Sequence, residues 1–169
     1  TGDYIQGDYI GEATPSMKVT YVDNTEKTFY NLTSIESDTD ANKKNAKNVE
    51  IYDTVTSIGN NAFVWCSRLE SVKLPNTLTS IGYGAFARCS NLTGITIPNS
   101  VTSIGYSAFQ FCSNLTGITI PNSVTSIGQN AFEYCSNLRV INLSNNLTKI
   151  NNSAFSYCTS LTDITIPNS

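Results

Sequence analysis

Leu92-Thr-Gly-Ile-Thr-Ile-Pro-Asn-Ser-Val-Thr-Ser-Ile-Gly-Tyr-Ser-Ala-Phe-Gln-Phe-Cys-Ser-Asn114 is one complete copy of a 23-residue phrase. The chain repeats it without a slip. Cys66, Cys89, Cys112, Cys135 and Cys158 are the same letter in successive copies. A fixed period of roughly 20 to 50 residues is the signature of a solenoid, in which each repeat buries its apolar edge against the next.

The letters of the phrase predict the shape of one coil. Letters 1, 4 and 6 (Leu92, Ile95 and Ile97; Leu115, Ile118 and Ile120) alternate as in a short strand with one buried face. Letter 7 is Pro75, Pro98, Pro121 and Pro167, which lacks an N–H and ends the strand. Letters 10 and 13, such as Val101 and Ile104, supply a second, shorter extended piece. Letter 14 is Gly59, Gly82, Gly105 and Gly128, then Asn151, and positive φ in a tight turn is expected there. Letter 16 is Asn61, Gly84, Ser107, Asn130 and Ser153, all favoured helix N-caps. The Ala-Phe-x-x-Cys that follows predicts a short helical or 3₁₀ turn with Phe and Cys on one face. Stacked coils about 4.8 Å apart, the inter-strand spacing, then form one continuous core from these columns.

At Leu-x-x-Ile-x-Ile-Pro-x-x-Val-x-x-Ile-Gly-x-x-Ala-Phe-x-x-Cys the chain resembles the bacterial-surface, BspA-like class of leucine-rich repeats. The resemblance covers residues 49–169, about five coils, and departs at Tyr52, Ser144 and Asn151. It implies a right-handed leucine-rich-repeat superhelix of short parallel strands, on secreted or cell-surface proteins of bacteria and some protists. Several members look like adhesins that bind host or matrix proteins.

Residues 1–48 depart from the phrase and read as an N-terminal cap. Lys18–Val22 and Lys27–Tyr30 flank Asp23-Asn24-Thr25-Glu26, a hairpin signal, and Leu32–Ile35 echoes letters 10 to 13 of a divergent first coil. The doubled Gly-Asp-Tyr-Ile at 2–5 and 7–10 has no assigned role. At the other end Ile164-Thr-Ile-Pro-Asn-Ser169 stops in mid-phrase. That predicts a truncated array whose bare final strand frays or pairs end to end in a homodimer.

Composition narrows the function classes. A net charge of −3 and a pI near 4.8 argue against a nucleic-acid surface, which needs clustered Lys and Arg. There is no charged residue from Cys89 to Phe132. No apolar run reaches the roughly 18 residues of a membrane span, and no secretory leader opens the chain, so no membrane insertion is expected. The absence of histidine removes the commonest general base and transition-metal ligand. With no Gly-rich phosphate loop and no nucleophile–base pair, we expect no catalysis and no cofactor.

Disulfides, metal and packing compete for the cysteine column. An odd count and the absence of Cys-x-x-Cys favour buried, unbridged thiols over bridges or zinc. A hydroxyl in place of the Cys112 thiol is expected to find no partner there.

Two columns are candidate binding surfaces. On the main strand, letters 2, 3 and 5 point outward and would line the inner face of a curved solenoid. Letter 5 is Lys73, Thr96, Thr119, Asn142 and Thr165. These residues fit a protein or glycan ligand, and equally a merely solvated strand rich in Thr. Letter 20 is Trp65, Arg88, Phe111, Tyr134 and Tyr157, an outward stripe suited to an interface or to packing between coils. Asn-x-Thr/Ser acceptor patterns recur largely because the phrase generates them. An adhesive ectodomain, a structural spacer and an intracellular protein-interaction scaffold all remain compatible with these letters.

Overall fold

The computed structural model describes residues 12–40 and 42–167; the doubled Gly-Asp-Tyr-Ile lies outside them. The chain enters through an antiparallel hairpin, β1 (Pro15–Tyr21) and β2 (Glu26–Tyr30). Asn24 takes φ 64° at the turn, and Asp23 accepts a 3.0 Å bond from the Thr25 amide. Such short polar side chains stabilise this turn geometry. After β3 (Ser34–Ile35) a 3₁₀ turn (Lys43–Asn45) leads into β4 (Ala46–Ile51), which pairs antiparallel with β1. The hairpin therefore adds two antiparallel strands to the edge of the first coil.

From there the chain winds as a parallel β-solenoid. Its strands are β5 (Ser57–Ile58), β6 (Ser71–Lys73), β7 (Ser80–Ile81), β8 (Ser103–Ile104), β9 (Gly117–Thr119), β10 (Ser126–Ile127), β11 (Val140–Asn142) and β12 (Lys149–Ile150). Letters 12 and 13 build an unbroken parallel ladder, β3-β5-β7-β8-β10-β12, in which each Ile of one coil pairs with that of the next. The main strands, by contrast, fall into two separate ladders. β4 pairs with β6 and β9 with β11, but Thr93–Ile97 between them forms a strand with neither. Leu161–Pro167 likewise forms no strand.

The expected helical turn after letter 16 is not present; among the described residues the only helix is the 3₁₀ turn of the cap. Hydrogen bonding between coils displaces it. The amides of Asn61, Phe63 and Trp65 donate to the carbonyls of Tyr83, Ala85 and Ala87 in the next coil, at 2.7, 2.7 and 2.9 Å. The intervening amides of Val64 and Cys66 donate back to Asn61 and Phe63 in tight turns. In a helical turn the N–H groups would point along the turn's own axis, and alternate amides could not be sent sideways to the neighbouring coil. The alternation requires left-handed φ at letter 16 (Asn61 55°, Gly84 57°, Ser107 53°, Asn130 56°, Ser153 57°) instead of an N-cap.

Letter 14 needs glycine for a different reason from the one its sequence suggests. No letter-14 glycine has positive φ. A Cβ on Gly105 would stand 2.6 Å from the Gly82 carbonyl carbon, and one on Gly128 only 2.5 Å from that of Gly105. Consecutive coils touch backbone to backbone at this column.

The core is a set of one-letter columns. Phe63, Phe86, Phe109, Phe132 and Phe155 stack with centroids 5.3 to 5.6 Å apart and planes within 9°. All five cysteines are buried and unbridged. A partner for the thiol does exist: Cys89, Cys112, Cys135 and Cys158 donate to the Phe63, Phe86, Phe109 and Phe132 carbonyls at 3.1 to 3.2 Å. The expectation of an unpartnered site at Cys112 is corrected by that bond.

Candidate functional site

The letter-20 column forms one continuous stack. The Arg88 guanidinium lies 4.3 Å from the Trp65 ring centroid and 4.1 Å from that of Phe111. Phe111 stacks on Tyr134 at 4.6 Å and Tyr134 on Tyr157 at 4.3 Å, with planes within 5°. All five residues hold left-handed φ between 58° and 63°. That geometry costs an L-residue about 1–2 kcal/mol, and the contacts with each neighbour offset it. Trp65 and Tyr157 remain 53% and 61% exposed, but the inner rings present edges because their faces cover one another.

On the main strand, letters 2, 3 and 5 do face solvent. Thr96, Thr119 and Asn142 meet at one open trough of about 680 Å³. Its floor is Ile95, Ile97 and Ile118, with Gly94 and Gly117 between them, and Asn99 and Val140 stand at its margin. The Asn142 amide donates to the Thr119 hydroxyl at 3.2 Å, tying two coils together at the rim. None of the lining residues is charged or aromatic.

The other two members of that column stand apart. Lys73 borders a second depression with Lys18 and Glu50, and Thr165 a third with Arg139 and Asp163. The Lys73 ammonium bonds the Glu50 carboxylate at 2.7 Å. That bond raises the Lys73 pKa and lowers that of Glu50. Lys73 is thus already paired, and its charge is balanced within the ladder.

Sequence reasoning missed one further pair. Tyr83 and Tyr106, at letter 15, are both exposed, with centroids 5.4 Å apart and planes tilted by 35°. Only the two-coil run of Tyr at that letter signals it. Asn99 was likewise missed, since an Asn after Pro reads as turn chemistry alone.

The cysteines are poor candidates for metal or redox chemistry. Burial pushes the Cys66 thiol up to about 12 and Cys158 up to about 11. Burial also drives Cys89, Cys112 and Cys135 well above the ordinary thiol range. A thiol held protonated is neither a ligand nor a nucleophile. Among the described residues no three His, Cys, Asp or Glu side chains cluster as a metal site, and no helix is long and apolar enough to cross a membrane.

Short strands stacked at a 23-residue period, with one Phe and one Cys column, define the class: a leucine-rich-repeat solenoid. Residues 56–169 match six copies of the BspA type leucine rich repeat region, and the chain belongs to that family. Among solved structures it is similar to a leucine-rich repeat protein of Bacteroides ovatus (29% identity, TM-score 0.68, covering 89% of this chain and 44% of that one). It is also similar to a leucine rich cell surface protein of Faecalibacterium prausnitzii (36%, TM-score 0.61, covering 69% and 38%). A third similar structure is the T. pallidum leucine rich repeat protein (30%, TM-score 0.58, covering 69% and 65%). The chain thus spans less than two thirds of each of these proteins. No curated protein matches it.

Proposed function

We propose that this chain is a non-enzymatic binding segment of a bacterial surface protein, and that it holds an extracellular protein or a glycan on its main-strand face. The observation that carries this reading is the open trough where Thr96, Thr119 and Asn142 converge. Ligand sites are concave, with an apolar floor and a few polar groups at the rim, and the trough has that make-up. The letter-20 stripe is the weaker candidate, because its rings spend their faces on one another. Surface location draws support from the family and from the F. prausnitzii neighbour, described as a cell surface protein.

The test is binding to immobilised matrix proteins, plasma proteins and glycans, with two variants in parallel. Thr96, Thr119 and Asn142 all changed to Glu should abolish binding of any confirmed ligand while the melting temperature holds. Trp65, Phe111 and Tyr134 all changed to Ser should leave that affinity unchanged. The reverse pattern would move the site to the stripe.

A spacer role is the second reading, favoured by the unbroken Phe stack and the letter-13 ladder. Both make the array a stiff, uniform rod segment.

A further inference from the structure

β2 is the outermost strand of the sheet β2-β1-β4-β6, and it pairs with β1 alone. The turn sets its phase. The Tyr21 amide donates to the Thr25 carbonyl at 2.9 Å, and the register runs on through Val19↔Lys27 and Met17↔Phe29. Bonded and unbonded positions alternate along an antiparallel pair. The N–H and C=O groups of Lys27 and Phe29 therefore point at β1, and those of Glu26, Thr28 and Tyr30 point away from it. The far side of β1 agrees with this phase: Val22 donates to Asn45 and Tyr52 to Ser16, so the alternate set of β1 residues serves β4. Among the described residues, no strand pairs with the outward groups of Glu26, Thr28 and Tyr30.

A free strand edge is ordinarily guarded by a charged side chain, a proline or a bulge. β2 carries two charges, and both are drawn back onto the chain's own sheet. The Lys27 ammonium lies 4.6 Å from the Phe29 ring centroid and 3.8 Å from the carboxylate of the buried Asp40. Glu26 reaches onto β1, where its carboxylate meets the Lys18 ammonium at 3.0 Å and accepts from the Thr20 hydroxyl at 3.3 Å. The irregularity of the hairpin falls on β1, between Pro15 and Met17. Thr28 at the centre of the strand and Tyr30, 48% exposed, bring no charge. The edge is thus left open along its main chain.

We propose that this edge receives the same edge of a second molecule of this chain, the two β2 strands pairing antiparallel about a twofold axis at Thr28. The outward set is self-complementary. With Thr28 opposite the partner's Thr28, Glu26 falls opposite the partner's Tyr30, and all three outward residues meet their counterparts at bonded positions. The unbonded positions set Lys27 opposite the partner's Phe29. No like charges then face one another, and a facing pair of threonines is favourable. A second molecule brings a strand already held by its own β1, so it bears no ordering cost, as a flexible peptide would. The contact is closed, because each molecule uses its one β2 edge and the pair stops there. Two five-residue strands bury little surface, which makes the association a weak one.

Light scattering from about 10 μM to about 1 mM should show a dimer that grows with concentration. Hydrogen exchange at the Thr28 amide should slow in step with it. Thr28→Pro removes an outward N–H and leaves the bonds to β1 in place, as edge strands allow. It should weaken the association at least tenfold while the melting temperature of the dilute protein holds. If proline disturbs the hairpin, Thr28→Lys replaces it, because two ammonium groups then face each other only in the pair. A strict monomer across that range, or a dimer equally tight in the folded Thr28→Pro and Thr28→Lys variants, overturns the proposal. A Thr28 amide protected to the same degree at every concentration also overturns it, and gives the edge to another segment of the same chain.

Discussion

The Cys112 thiol donates a 3.1 Å hydrogen bond to the Phe86 carbonyl, which belongs to the preceding coil and already accepts the Cys89 amide at 3.2 Å. The thiol thus fastens its own coil to the turn of the one before. The same bond recurs at Cys89, Cys135 and Cys158, whereas no such bond is made by Cys66 among the described residues. Packing and hydrogen bonding together explain why one letter of the phrase is always this small residue with a weak donor.

Replacing Cys112 separates the two contributions. Cys112→Ala removes the donor and leaves a small void, and should cost about 1–3 kcal/mol. Cys112→Ser keeps a donor near the same carbonyl and should cost less than the alanine change. Urea unfolding of the two variants decides it. Equal stability of the two would show that the thiol's bulk alone matters, and a serine variant below the alanine one would show that the hydroxyl is buried without reaching the Phe86 carbonyl. Alkylation should find almost no reactive thiol in the native chain and five after denaturation.

Stability should fall on the alkaline side. Burial raises the folded thiols, Cys66 to about 12 and Cys158 to about 11, whereas unfolded thiols titrate near about 8.5. Between those values the folded chain holds more protons than the unfolded one. The contribution is complete below the unfolded pKa and is lost as pH rises toward the folded one. The slope is about 1.4 kcal/mol per pH unit for each thiol in that window. Tyr21, raised by burial and by its 2.7 Å bond to Asp40, adds to the decline. Unfolding in urea from pH 7 to 10.5 with reductant present should show the loss beginning near pH 9. Cys112→Ala should flatten it by one thiol, and a level profile would contradict the burial of the column.

Much of this architecture was legible in single letters. The cysteine period has one economical reading and the structure agrees with it, whereas the strand read from Ile-x-Ile forms at Gly117–Thr119 but not at Ile95–Ile97 or Ile164–Ile166. The helical expectation failed because an N-cap residue followed by Ala-Phe-x-x-Cys describes a chain of tight turns equally well. What separates them is that Phe63 gives its amide to Ala85 in the next coil, and a single coil's letters carry no trace of that. The letter-14 glycines announced a constraint but not its kind, since positive φ and close contact select the same residue. The candidate site was half visible. Thr96, Thr119 and Asn142 were marked by their outward letters, but the ladder break beside them was hidden because Leu92, Ile95 and Ile97 match every other coil. The pairing of Lys73 was not visible, because its partner Glu50 lies 23 residues back in a coil that scarcely resembles the phrase.

Arg88 should be the keystone of the letter-20 stack. Arg88→Ala removes cation–π contacts with both Trp65 and Phe111 and keeps an L-residue at φ 63°. Each contact is worth about 0.5–1 kcal/mol at an exposed site, so the loss should be about 1–2 kcal/mol. Trp65 is the chain's one tryptophan, so its emission reports the change directly. An unaltered spectrum together with unaltered stability would mean that the stack does not persist in solution.

Lys43 closes the start of the solenoid. Its ammonium donates to the Ala62 carbonyl at 2.9 Å and also to that of Ser37. In later coils the equivalent carbonyls of Ala85 and Ala108 accept the Phe63 and Phe86 amides, so the ammonium substitutes for an amide that the divergent first coil lacks. Lys43→Met keeps the stem but removes the donor, and should cost about 1–3 kcal/mol. Hydrogen exchange should then speed up first at β3 and β5, with the coils beyond Gly105 unaffected. Uniform acceleration along the chain would show that the cap is not a separate unit.

Gly105 and Gly94, eleven residues apart in one coil, should respond oppositely to the same change. At Gly105 a Cβ would sit 2.6 Å from the Gly82 carbonyl carbon and 2.7 Å from its oxygen. These are backbone atoms that cannot rotate aside, so Gly105→Ala must push two coils apart. The displacement would strain the letter-13 ladder on one side and the amide exchange between turns on the other. A cost of about 2–4 kcal/mol is expected, as for overpacking in a rigid core. At Gly94 the added methyl meets nothing within 4 Å and φ is not positive, so Gly94→Ala should leave stability unchanged or raise it by about 0.4–1 kcal/mol through the unfolded state. Paired urea titrations of the two single variants measure both signs. A destabilising Gly94→Ala would mean that the fold itself needs the glycine for a reason that the open space around its Cβ position does not show.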